Sequence, residues 1–151
     1  MRTLVDYRPA LRTRTGVGEY VHELARALVA TGDTARDPLF LFSSSRADRL
    51  APDVVPGATV IDRRWPVRLL NYAWHRWEWP PIESLAGVSI DVAQSLHPLL
   101  MPARQAAQVV TIHDLDFLDH PERTSGEIRR DYGRLARAHA ARADRVITVS
   151  E

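Results

Sequence analysis

Gln108-Val109-Val110-Thr111-Ile112-His113-Asp114 is the stretch whose pattern decides the fold. Its first five residues are a near-continuous branched run, which suits a strand covered on both faces, as in a parallel sheet. Two polar residues end the run abruptly. Upstream, Asp91 to Leu96 reads as another strand and runs into Ser95-Leu96-His97-Pro98. Three earlier apolar runs follow suit: Thr3-Leu4-Val5 ending at Asp6, Leu39 to Phe42, and Ala58 to Ile61. Downstream, Arg145 to Val149 makes a sixth. Longer segments of helical period separate them. Val17, Tyr20, Val21, Leu24, Ala27 and Leu28 recur at spacings of three and four, with Gly32 as terminator. Pro66 to about Ala86 is a second helical segment, interrupted at Pro80-Pro81, and Ser125 to Ala143 a third, with Ile128, Tyr132, Leu135 and His139 on one stripe. The alternation predicts an α/β fold built on a mostly parallel sheet. Ser43-Ser44-Ser45 reads as an ordinary connection, and Ser150 as the N-cap of a further helix that would open another βα unit.

The 151 residues, 45% of them apolar, suffice for one domain with a core. A net charge of +1 gives no electrostatic case for nucleic-acid binding. All 20 basic residues are arginine, whose planar fork suits phosphate recognition. Without cysteine, disulfides and thiolate metal sites are excluded. Met1 to Arg8 reads as a strand rather than a signal peptide, and no apolar run approaches the roughly 20 residues of a membrane span. These features predict a soluble, cytoplasmic protein.

In an open parallel sheet, ligands gather beyond the carboxyl ends of the strands. Three polar clusters fall at such ends: Asp6 with the loop to Gly18, then Ser95 to Pro98, then His113-Asp114. The Gly16-Val17-Gly18 turn stands directly before a helix, where free amides favour an anion and glycine permits close approach. Equally, it reads as a tight turn with no ligand. The dinucleotide fingerprint Gly-x-Gly-x-x-Gly fails at Val21, which disfavours a nicotinamide cofactor. His113 suits hydrogen bonding to a sugar hydroxyl or moving a proton near neutral pH; a satisfied buried histidine is the plainer alternative. Asp114, pointing to the other side of an extended backbone, need not pair with it. A metal site from His97, His113, Asp114, Asp116 and His120 lacks helix-spaced histidines, and no metal is expected.

All four tryptophans lie in Trp65 to Trp79, interleaved with arginine. That pattern fits an apolar acceptor groove or a lipid interface. It fits better a core-packing helix with Leu70, Trp74 and Trp77 on the buried face and the arginines solvated. Arg129, Arg130, Arg134, Arg137 and Arg142 read as a solvated face of the last helix.

Taken in order, these stretches resemble the N-terminal domain of family 4 glycosyltransferases of the GT-B fold. The resemblance rests on four motifs: Asp6-Tyr7-Arg8 with Thr15-Gly16-Val17-Gly18-Glu19-Tyr20; Asp91-Val92 through Ser95-Leu96-His97 to Pro102; Val110 to Leu115 with His120-Pro121-Glu122; and Ala143 to Glu151. It implies a Rossmann-like three-layer α/β/α domain over residues 1–151, one half of a GT-B fold, with the donor-binding C-terminal domain as its partner. The implied reaction transfers a sugar from a nucleotide-sugar to a sugar or lipid-linked acceptor, retains anomeric configuration, and uses no resident cofactor or metal. By position, His113 would be catalytic, and Gly16, Val17, Gly18, Asp6, His97 and Asp114 would bind substrate. The resemblance also implies that the domain by itself is inactive, and it allows peripheral contact with the inner face of a membrane. Glu19 departs from the basic or neutral residue common there. The competing expectations are a non-catalytic acceptor-binding or docking module and, behind it, a small metal-dependent hydrolase built on His113-Asp114.

Overall fold

Along Thr3-Leu4-Val5-Asp6 successive side chains leave the backbone on opposite faces, and both faces are buried. A strand apolar on both sides needs a helical layer above and below it. The computed structural model describes residues 1–11, 14, 16–120 and 132–149. Within them, β1 (Thr3–Asp6), β2 (Leu39–Ser44), β3 (Thr59–Arg63), β4 (Val92–Ser95), β5 (Ala107–Ile112) and β6 (Arg145–Thr148) form one sheet. The intervening helices are α1 (Val17–Thr31), α2 (Val67–Trp77), α3 (Ile82–Ala86), α4 (Asp116–Asp119) and α5 (Gly133–Arg142). The strands pair in the order β3-β2-β1-β4-β5-β6, and every pairing is parallel.

Two apolar clusters sandwich this sheet. Leu4, Phe42 and Ala93 meet Leu70 and Trp74 of α2 and Ile82 and Leu85 of α3. Val5 and Leu41 meet Val21 and Ala25 of α1. A smaller cluster of Leu99, Leu135 and Ala136 seats α5. The result is a Rossmann-like, three-layer α/β domain. Because the chain winds outward from β1 to β3 and then returns to β4, strand order reverses between β1 and β4. That reversal opens a crevice at the carboxyl edge.

Local chemistry explains most element ends. Gly32 closes α1: its amide donates to the Leu28 carbonyl, and a Cβ there would lie 2.9 Å from that oxygen. Pro80-Pro81 divides α2 from α3, as the interruption in the pattern implies.

Three expectations need correction. Ser43 and Ser44 are not loop but the buried end of β2, held by parallel pairing with Asp62 and Arg63 and, for Ser44, by a hydroxyl bond to the Trp65 carbonyl. Trp77 does not join Leu70 and Trp74 in the core; it is 64% exposed. One turn beyond Trp74 the apolar layer ends, Glu78 turns left-handed, and Trp77 rests edge-on against Tyr72. The third is the short α4, which the sequence pattern did not announce. Of the last expected helix, 133–142 is seen as α5; residues 125–131 and Ser150 lie outside the described residues.

Candidate functional site

Asp6 ends β1 at the crevice and is fully buried. A carboxylate in that position needs donors for each oxygen, and four arrive. Oδ1 accepts from the Arg8 amide at 3.1 Å and Arg8 Nε at 2.8 Å. Oδ2 accepts from Arg8 Nη2 at 2.6 Å and from His97 Nε2 at 3.1 Å. Burial alone would push the Asp6 carboxyl up. The charge and hydrogen bonds of Arg8, with His97 adding, outweigh it and hold the group well below the usual carboxylate range.

Arg8 is fixed in turn. Its Nη1 donates to Asn71 Oδ1 at 2.8 Å, and its guanidinium lies 4.6 Å from the centroid of Trp74. Trp74 is itself anchored, its indole N–H donating to the Pro80 carbonyl at 2.9 Å. This buried pair ties β1 to α2.

His97 follows β4 across the crevice. The Leu99 amide donates to its Nδ1 at 3.2 Å, so Nε2 carries the proton that Asp6 accepts. Both ring nitrogens are therefore engaged within the protein. Tyr132 packs on the Leu99 and Leu135 cluster within reach of the Asp6 charge; burial, with that charge adding, pushes its phenol up to about 12.

His113 lies one residue past β5 on the same carboxyl edge. Its Nε2 donates to the Leu96 carbonyl at 3.2 Å, which leaves Nδ1 as the accepting nitrogen of the neutral ring. Tyr20, one turn into α1, packs edge-on against the imidazole with centroids 4.9 Å apart. The ring is thus oriented from two sides. Asp114 does something else: its Oδ1 accepts the Asp116 amide at 3.1 Å and starts α4. The two neighbours act separately, as their adjacency on extended backbone implied.

Gly16 caps α1 with φ 53° and ψ −114°, a conformation costly for any residue with a side chain. A Cβ there would meet nothing within 4 Å, so the position demands backbone freedom rather than space. Val17 and Gly18 open the helix, with no side-chain cap over its first amides. Tyr20 brings this helix start to His113.

The carboxyl edge therefore gathers Asp6, Gly16, Val17, Gly18, His97, His113 and Asp114. Asp6 and His97 are directly bonded, Gly16 to Gly18 approach His113 through Tyr20, and Asp114 stands apart in its turn. Sequence reading passed over Arg8, Asn71 and Tyr20 as site residues. The spacing Asp6-x-Arg8 was the one available signal, since an aspartate readily accepts the amide two residues on and so turns that residue back toward itself. Among the described residues no group of three or more histidine, aspartate or glutamate side chains is arranged to hold a metal ion. No helix among them is long and apolar enough to cross a membrane.

Compared with known proteins, residues 14–151 match the family model described as Glycosyltransferase Family 4. No curated protein and no solved structure matches the chain.

Proposed function

The chain belongs to glycosyltransferase family 4, and on that premise we propose that it forms the acceptor-side wall of a retaining glycosyltransferase whose donor is a nucleotide-sugar. The acceptor hydroxyl oxygen replaces the nucleotide's phosphate oxygen at the anomeric carbon. A second Rossmann-like domain grips most of the donor, so this domain alone performs no transfer. The observation that best supports the reading is His113, held at the carboxyl edge by the Leu96 carbonyl and the Tyr20 ring. Held so, its Nδ1 accepts a hydrogen bond from a sugar hydroxyl without any reorganisation of the ring. The free amides at the start of α1 lie on the same side and favour the donor phosphates. Asp6 and Arg8 act behind them, positioning His97 and the end of β1.

The proposed setting is the cytoplasmic face of a membrane. Its support is the outer face of α2, where Leu69, Tyr72 and Trp77 stand exposed beside Arg68 and Arg76. Apolar groups among guanidinium groups suit an anionic lipid surface.

The test is steady-state transfer by the domain joined to its donor-binding partner. An interaction made chiefly in the transition state lowers turnover more than binding when it is removed. His113→Ala is expected to reduce kcat by about a hundredfold or more with little change in KM. Near-normal turnover in a variant with an unchanged thermal melt would return His113 to a purely structural role.

A further inference from the structure

Arg8 follows β1, Arg46 follows β2, and Arg68 stands in the first turn of α2 after β3. Since β1, β2 and β3 are adjacent and parallel, all three arginines arrive at the carboxyl edge. They line one open cleft of about 610 Å³, together with Leu11, Pro66 and Val67. Its only lining carboxylate among the described residues is Asp48, which accepts a hydrogen bond from Ser45 Oγ.

Arg8 cannot serve a ligand there, because Asp6, Asn71 and Trp74 already occupy its guanidinium. It is the fixed back wall. Arg46 and Arg68 are exposed, and among the described residues neither guanidinium has a hydrogen-bond or ion-pair partner. The loop carrying Arg46 is ordered in advance, with Ser45 Oγ accepting the amides of Ala47 and Asp48 at 3.3 and 3.1 Å.

We infer that this cleft grips the phosphate of a phosphorylated acceptor, with Arg46 and Arg68 as its two forks and Leu11, Pro66 and Val67 against the organic part. Two guanidinium groups on separate elements suit a phosphate, whose tetrahedral oxygens let forks arriving from different directions each find an acceptor. The cleft lies on the β2–β3 side of Asp6, while His113 follows β5 on the other side and meets the start of α1 through Tyr20. That division assigns the cleft to the acceptor rather than to the donor phosphates. The inference rests on the glycosyltransferase reading above and names its acceptor class.

Calorimetry on the 151-residue chain tests it with three probes: glucose, glucose 6-phosphate, and monomeric dihexanoyl-phosphatidylglycerol. One or both phosphate-bearing probes should bind at least about tenfold more tightly than glucose, as charged hydrogen bonds imply. Which of them does so separates a soluble phosphate from a lipid-borne one. Raising salt should weaken that binding. The double variant R46A/R68A should lose the preference, and R46K/R68K, keeping charge without the forks, should recover only part of it. Both positions are on the surface, so thermal melts should match wild type. Equal affinity for glucose and both phosphates, or a preference that survives R46A/R68A, overturns the assignment. Such a result leaves the transfer reading intact, because that reading stands or falls with His113→Ala turnover.

Discussion

His139 shows how a single buried ring couples this fold to pH. It lies in α5 beneath Leu100, whose amide donates to its Nδ1 at 2.9 Å. A proton on Nδ1 would break that bond. Burial, with the nearby Arg142 charge adding and Glu78 opposing, pushes the imidazole down to about 4 from its ordinary 6.5. A group whose folded pKa is depressed contributes stability that is fully present above its unfolded pKa and is lost as pH falls toward the folded one. Between pH 6.5 and 4, the unfolded chain takes up a proton that the folded one refuses. Urea unfolding should therefore show a loss of about 2 kcal/mol between pH 7 and pH 5. His139→Gln, whose side-chain oxygen can accept the same amide, should flatten that slope. An equally steep slope in the variant would place the sensitivity elsewhere. Asp6 is depressed too, and its contribution of the same sign is lost only at more acid pH.

At the scale of the element, α2 serves two surroundings at once. Its inner stripe of Leu70, Ala73 and Trp74 closes one face of the sheet, and Trp74 also supports Arg8. Its outer stripe carries Leu69 and Tyr72, with Trp77 at the end and Trp65 and Trp79 flanking it, all exposed. A helix apolar on both sides is costly in water unless the outer side meets something. Sedimentation with phosphatidylglycerol vesicles should recover the protein, whereas neutral phosphatidylcholine vesicles should recover less. Replacing Leu69, Tyr72 and Trp77 with serine together should reduce the recovery severalfold while the fold is kept, because none of the three belongs to the core. Unchanged sedimentation of that variant would remove the case for membrane contact. The buried face of α2 was legible in the sequence through Leu70 and Trp74, while the other face read as solvated arginine. That Trp77 belongs outside was not legible, because helical period assigns a direction and says nothing of where the layer beneath it ends.

For the molecule as a whole, the sheet divides the core into two layers that share no side chains. Leu41 packs toward α1 and Leu70 toward the opposite face, and both are fully buried. Each change to alanine should cost about 2–5 kcal/mol. With no common partners, the double variant should be additive to within about 0.5 kcal/mol. Coupling well above that in denaturant unfolding would contradict a three-layer core. The wider fold was readable in advance, since branched runs alternating with helical period permit little besides a parallel sheet between helices. The carboxyl edge was readable as well, because polar residues at strand ends must face it in any parallel arrangement. Asp6, His97 and His113 could thus be picked out from local pattern alone. Strand order could not, because every parallel pairing uses the same backbone groups, and only packing placed β4 beside β1. That choice brought His97 to Asp6 across 91 residues of chain and Asn71 to Arg8 across 63. Sequence by itself determined which residues reach the carboxyl edge, because strand and helix periods are properties of the local chain. Tertiary structure alone decided which of them touch, because hydrogen bonds and ring contacts depend on distances that no local period encodes.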